Sequence, residues 1–183
     1  MHHDLFISGF GGQGVLLAGN LLSYAAVMEG KNVSFLPSYG VEKKGGAVMC
    51  TVVIADGEVG SPVVGSPAVT IFLNQASLDK YGARTMEGGT CIINTSLVDT
   101  SRFDRTDIRT IRLPMNEIAK ELGDSRMANM VAVGAYCRLT RAVSLSSLAD
   151  ALKEALPERN HSLIPANLSA IESGASRVPY EKT

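Results

Sequence analysis

The residues best placed to do chemistry in this chain are glycines around a single glutamine. Gly9-Phe10-Gly11-Gly12-Gln13-Gly14 has the spacing G-x-G-x-x-G. Glycines so spaced permit a tight turn, a close backbone approach to a ligand and close helix–strand packing. The N–H groups at the following helix start can then hold a phosphate. The dinucleotide version also needs an acid at the end of the next strand, about 20 residues on, for the ribose hydroxyls. Val33-Ser34-Phe35-Leu36-Pro37 supplies none, and Glu29, near the right offset, precedes Gly30 and belongs at a helix end. Three readings stay open from the residues alone: a dinucleotide site, a purely structural glycine turn, or an anion cradle for another ligand.

A second cluster, Ser38-Tyr39-Gly40-Val41-Glu42-Lys43-Lys44-Gly45-Gly46, follows the next apolar run. Gly45 and Gly46 suit close backbone approach, and Lys43 or Lys44 suits a phosphate or carboxylate. The alternative is a hairpin loop with two solvated lysines. Cys50, Cys91 and Cys137 are widely spaced and form no C-x-x-C, and His2, His3 and His161 do not stand at ligand spacing. Neither a zinc ribbon nor an iron–sulfur motif is therefore expected, and no metal ligand is assigned. No nucleophile–base pair stands out, so no catalytic residue is assigned either.

Elements must position these clusters. Leu5-Phe6-Ile7-Ser8 reads as a buried strand ending at the first cluster. Val15 to Met28 has helical length, with Ala18, Gly19, Ala25 and Ala26 allowing close approach to a sheet, and Gly30 is a helix stop. Val33–Leu36 is a second strand. A strand–helix–strand unit implies a parallel sheet with a right-handed crossover, which brings both glycine clusters to one strand edge. Ala47–Ala55, Thr70–Leu73, Thr90–Asn94 and Ile108–Leu113 are further strands, with helices at Ser77–Met86 and Asn116–Leu122. Met127–Leu139 is apolar all round, hence a buried helix. Leu145, Leu148, Leu152 and Leu156 form an amphipathic stripe closed by Pro157, and a last helix carrying Leu168 and Ile171 ends at Gly174. The expectation is a single α/β domain over residues 1–183, with its core at about 4–174: three α/β/α layers around a mostly parallel, Rossmann-like sheet.

Composition narrows the function. Seventeen basic against eighteen acidic groups leave a net charge of -1, which argues against nucleic acid as a partner. The uncharged span Leu5–Met28 is broken by glycines and leaves too short an apolar run to cross a bilayer. No basic segment precedes a long apolar run with a cleavage site, so a cytoplasmic protein without a membrane partner is expected. Twelve of the eighteen glycines lie in the first 65 residues, alongside only three basic and five acidic residues. This front third therefore carries the functional question.

Several of its motifs are shared with a known family. Gly9-Phe10-Gly11-Gly12-Gln13-Gly14-Val15 with Ala18-Gly19, then Ser38-Tyr39-Gly40-Val41-Glu42 with Gly45-Gly46, resembles the gamma subunit of 2-oxoacid:ferredoxin oxidoreductases. Cys50-Thr51-Val52-Val53-Ile54, Gly60-Ser61-Pro62, Asn74-Gln75-Ala76-Ser77-Leu78-Asp79-Lys80, Asn129-Met130-Val131-Ala132-Val133-Gly134-Ala135 and Asn167-Leu168 extend the resemblance over residues 4 to 174. One departure is Lys44, where the family often has Arg; lysine keeps the charge and loses the bidentate fork. The resemblance implies a subunit of a complex that converts a 2-oxoacid and coenzyme A to acyl-CoA, CO2 and reduced ferredoxin. It implies alpha, beta and ferredoxin-like partner subunits, with ferredoxin as electron acceptor. Thiamine diphosphate, magnesium and iron–sulfur clusters are expected on those partners and no tightly bound cofactor on this chain, which is expected to be inactive alone. Gly9, Gly11, Gly12, Gln13, Gly14, Tyr39, Gly40, Glu42, Lys44, Gly45 and Gly46 are the expected binding residues, at the approach to the active site and to coenzyme A. The competing reading is a free-standing Rossmann-type nucleotide-binding protein.

Overall fold

The computed structural model describes residues 1–40 and 46–179. Among them, six strands form one sheet in the order β2-β3-β1-β4-β5-β6. These are β1 (His2–Phe10), β2 (Asn32–Tyr39), β3 (Ala47–Ala55), β4 (Val69–Phe72), β5 (Thr90–Asn94) and β6 (Arg109–Leu113). β1, β4, β5 and β6 pair in parallel, while β3 lies antiparallel between β1 and β2. All strands but β3 thus run the same way, as a mostly parallel sheet requires.

The insertion of β3 modifies the expected strand–helix–strand unit. β1 and β2 do run in the same direction, but they are not neighbours. The physical reason is connection length. A parallel neighbour needs a crossover of about a dozen residues or more, and only residues 40–46 separate β2 from β3. The chain must turn back on itself, and the returning strand fills the slot between β1 and β2.

Helix α1 (Val15–Met28) occupies the span expected for it and joins α3 (Met115–Glu121), α4 (Ala128–Thr140), α5 (Leu145–Ala155) and α6 (Ile164–Ser176) on one face of the sheet. Leu5 and Ile7 of β1, Val52 and Ile54 of β3, Ile71, Ile92 and Ile111 point into this thick layer. The opposite face carries Phe6, Phe72, Cys91 and Ile93 and is covered more thinly, by α2 (Gln75–Tyr81) and the loop holding Phe103. Because side chains alternate along a strand, β1 serves both layers and is buried from Leu5 to Gly9. Phe6 there meets Tyr81 edge to face at 5.4 Å, with the Arg84 guanidinium 4.4 Å from its ring.

Some helix ends differ from expectation: α2 stops at Tyr81, short of Met86, and gives way to a 3-10 turn over Gly82–Arg84. α2 begins at Gln75, because the Asn74 side chain accepts a bond from Ser77 N–H and caps the helix two residues early. α6 runs through Gly174 to Ser176. Gly174 lies inside it as the point of closest contact with α4, so its missing Cβ serves packing and not termination. Among the described residues no helix is long and apolar enough to cross a membrane.

Candidate functional site

Parallel strands deliver their carboxyl ends to one edge, and here that edge receives both glycine clusters. Tyr39 at the end of β2 and Phe10 at the end of β1 pair with Val48 and Ala47 at the start of β3. Gly11 N–H donates to Gly46 C=O at 3.2 Å, and Gly40 N–H to Ala47 C=O at 2.6 Å. The two clusters are thus hydrogen-bonded to each other. Tyr39 is 67% exposed beside them. Glu42, Lys44 and Gly45 lie outside the described residues.

The first cluster serves different ends residue by residue. Gly14, at the N-cap of α1, sits at φ +72°, and Gly12 at φ +96°. This left-handed region costs an L-residue roughly 1–2 kcal/mol and glycine almost nothing. Gly14 also lies against Asn129 of α4, whose Nδ2 donates to the Gly14 carbonyl at 3.2 Å. Gln13 turns inward. Its Oε1 accepts from Phe10 N–H at 2.7 Å and Asn74 Nδ2 at 2.9 Å, and its Nε2 donates to Leu73 C=O at 3.3 Å. A carboxamide so fully engaged is a brace.

That brace is one end of a line of amides not anticipated from the sequence. Asn94, at the end of β5, donates through Nδ2 to Leu73 C=O at 3.2 Å and to Asn116 Oδ1 at 2.8 Å. Its Oδ1 accepts from Met115 N–H at 3.1 Å. Gln13, Asn74, Asn94 and Asn116 therefore tie together the ends of β1, β4, β5 and β6. Asn74 and Asn94 are almost wholly buried. Neutral carboxamides both donate and accept, so they satisfy the orphan peptide groups of strand ends without burying a charge. The available signal was two apolar runs closing on asparagine, Ile71-Phe72-Leu73-Asn74 and Cys91-Ile92-Ile93-Asn94.

Two grooves open on either side of this line. The larger, about 420 Å³, lies at the start of α1 and is lined by Gly12, Gly14, Leu17, Asp124, Arg126, Asn129, Asn160 and Asn167, with Met127, Leu156 and Leu163 as its apolar part. No side chain caps α1 and no acid stands in its first turn, so the positive end of the helix dipole, at Gly14 and Leu17, borders this groove. Arg126 adds a guanidinium, paired with Asp124 at 2.7 Å. That contact holds the Asp124 carboxyl below the usual carboxylate range. The smaller groove, about 260 Å³, lies on the α2 side, lined by Gly9, Phe10, Ala47, Asn74, Ser77 and Lys80. The sheet edge thus divides the expected site: Gly12 and Gly14 open on one groove, Gly9 on the other, and Gln13 on neither. Arg126 and Asn160, which carried no motif of their own, join them, as does Lys80 from the Asn74–Lys80 motif.

Other reactive groups stand apart. Glu29, the nearest candidate for a ribose acid, is at the far end of α1, with Lys31 Nζ at 2.5 Å and Ser144 N–H at 2.7 Å. Cys50, Cys91 and Cys137 are buried and free. Burial pushes the Cys50 thiol up to about 12 and Cys91 to about 11, which leaves no thiolate nucleophile at neutral pH. Among the described residues no three His, Cys, Asp or Glu side chains converge as a metal site would need. The uncapped start of α1 with Arg126 in the same groove has the chemistry to receive an anionic group.

Comparison with known proteins agrees with this arrangement over nearly the whole chain. The sequence profile described as "Pyruvate ferredoxin/flavodoxin oxidoreductase" matches residues 4–177. The ketoisovalerate oxidoreductase subunit VorA of Methanothermobacter marburgensis is 39% identical over 170 residues, 92% of this chain and 35% of that protein. This chain therefore spans about a third of the length of that relative. The 2-oxoglutarate synthase subunit KorC of Methanocaldococcus jannaschii is 36% identical over 160 residues, 86% of each chain. Among solved structures, the keto/oxoacid ferredoxin oxidoreductase gamma subunit of Geobacter sulfurreducens superposes with a TM-score of 0.81 at 31% identity, covering 96% of this chain and 97% of that one. With a family profile matched over residues 4–177 and a relative 36% identical over 86% of each chain, the chain belongs to the pyruvate ferredoxin/flavodoxin oxidoreductase family.

Proposed function

We propose that this chain is the gamma-type subunit of a 2-oxoacid:ferredoxin oxidoreductase, which converts a 2-oxoacid and coenzyme A to acyl-CoA, CO2 and reduced ferredoxin. The observation that carries this reading is the match to free-standing subunits of the same size: KorC, and the Geobacter gamma subunit whose fold it shares at 31% identity. Alpha, beta and ferredoxin-like subunits are its partners, ferredoxin is the acceptor and the cytoplasm is its setting. Thiamine diphosphate with magnesium and the iron–sulfur clusters supply the decarboxylation and electron-transfer chemistry from those partners.

This chain's part is to complete the approach to the active site. The open N–H groups of α1, with Arg126 beside them, suit a pyrophosphate such as that of coenzyme A. Lys44 adds a second cation. Gly9, Gly11, Gly12, Gly14, Tyr39, Gly40, Gly45 and Gly46 shape the edge, and Glu42 belongs to the same approach. Gln13 holds that edge in place through its three hydrogen bonds.

Co-expression with the neighbouring genes, followed by an assay of pyruvate, 2-oxoisovalerate, 2-oxoglutarate and an aryl-pyruvate with coenzyme A and a viologen dye, tests the assignment. Substrate-dependent dye reduction by the co-purified complex is expected. Its absence, together with a thermal shift of the isolated chain on NAD, NADP or FAD, would establish the nucleotide-binding alternative. Titration calorimetry of coenzyme A on complexes carrying Arg126→Ala or Lys44→Ala separates the two cations, and unchanged affinity removes the residue concerned from the site.

A further inference from the structure

The sheet has two edges, and they are built differently. β6, at one end of the strand order, carries Arg109 and Arg112 among its five residues. Charges on an edge strand discourage pairing with another chain. β2, at the other end, is Asn32-Val33-Ser34-Phe35-Leu36-Pro37-Ser38-Tyr39, eight residues without one charge. Pro37 removes a single N–H, and among the described residues no strand pairs with the other side of β2.

The helix above this edge has the same character. α1 has no charged residue in fourteen. It rests on β2 and β3 where Gly19 meets Phe35 and Cys50, and α5 packs along another side. A flank at i, i+4, i+8 and i+11 turns from half-buried Leu16 and Asn20 to exposed Tyr24 and Val27, with Met28 exposed next to it. Tyr24 is 44% and Val27 61% exposed. Exposed apolar residues scattered singly are ordinary, whereas an uncharged helix flank beside an unguarded strand edge is the composition of an interface.

The relatives indicate what covers it. The same module occurs within a chain about three times its length in VorA and as a nearly complete chain in KorC. Where covalent linkage is absent, the contact between the module and the rest must be made by surface alone. An uncharged face has no long-range attraction to offer and fits a permanent, apolar contact.

We propose that the free edge of β2 and the Tyr24–Val27 flank of α1 form the docking face for the partner subunit that corresponds to the remainder of the longer relatives. An extended, uncharged segment of that subunit pairs with β2, and its apolar side chains cover Tyr24 and Val27. This rests on the subunit reading above and adds to it the face used.

The test is made on the co-expressed complex. Tyr24→Glu with Val27→Glu places two charges on exposed positions, and Leu97→Glu, at a residue 48% exposed outside α1 and β2, is the control. The double variant is expected to lower recovered partner at least about tenfold, while Leu97→Glu leaves it unchanged and both melt as the wild type does. In the unmodified complex the amides of residues 32–39 are expected to exchange more slowly than in the isolated chain, a readout that needs no variant. Equal recovery with Tyr24→Glu/Val27→Glu, or unchanged exchange in β2, overturns the proposal while leaving the subunit reading intact. A wild-type chain that recovers no partner removes both. A wild-type dimer of this chain alone that the double variant disperses assigns the face to a second copy and overturns the partner named here.

Discussion

Replacing Gly14 by alanine tests how the glycine loop is held at the start of α1. A Cβ at this position would lie 2.8 Å from Asn129 Cγ and closer still to Nδ2, against the 3.4 Å at which ordinary contact begins. Asn129 is only 4% exposed, and moving aside breaks its bond to the Gly14 carbonyl. Two costs combine. The left-handed backbone, φ +72°, costs alanine about 1 kcal/mol after the entropy alanine removes from the unfolded chain. Displacing Asn129, and with it the bond to the Gly14 carbonyl, adds roughly 2 kcal/mol. The total of about 3 kcal/mol lowers the melting temperature by roughly 6–12 °C in a chain of this size. Thermal and urea unfolding should be followed for Gly14→Ala, Asn129→Ala and the double variant. Truncating Asn129 leaves only its Cβ, at 3.4 Å, so in that background Gly14→Ala should cost only about 1 kcal/mol, a coupling of about 2 kcal/mol. A coupling below about 0.5 kcal/mol would refute the reasoning, because additive effects would mean that the glycine is required for backbone conformation alone.

Two further consequences concern stability. At the α4–α6 crossing a Cβ on Gly134 would meet the Ile171 carbonyl group, 2.7 Å from its carbon, and one on Gly174 the equivalent group of Val131. Backbone cannot rotate away as a side chain can, so Gly134→Ala should destabilise by about 3 kcal/mol despite alanine's better helix propensity, and a melting temperature equal to or above wild type would contradict the close crossing. For Glu29, partial burial raises the carboxyl's pKa, but bonds from Lys31, the Ser144 N–H and the Ser147 and Ser144 hydroxyls outweigh it and bring it from 4.5 down to about 2. A depressed folded pKa contributes stability above the unfolded value that is lost as pH falls through the folded one. Glu29→Gln should therefore cost about 2 kcal/mol at pH 7, and the difference from wild type should shrink between pH 4.5 and 2; a constant difference across that range would place the loss elsewhere.

The sequence determined the elements because their signals are local. The apolar run of β1, the uncharged fourteen residues of α1 between Gly14 and Gly30, the nine β-forming residues of β3 and the all-round apolar α4 each announce themselves within their own span. The first glycine cluster and the described ends of the second, Tyr39, Gly40 and Gly46, also lie on the one edge expected of them, since strand direction follows from the helix between them. Even the antiparallel course of β3 is implied by the shortness of residues 40–46. Which strands become neighbours was decided only in the fold, because pairing depends on which slot in the sheet stays empty until the chain returns. The same holds for Gly174, whose role depends on a helix forty residues earlier. It holds above all for Gln13, which the motif marks as part of a binding loop. Its hydrogen-bonding capacity is taken up by Phe10, Leu73 and Asn74, and two of those partners lie sixty residues away in sequence. A spacing of glycines specifies a turn, while what a polar side chain within it does depends on the donors and acceptors that the rest of the chain brings within 3 Å.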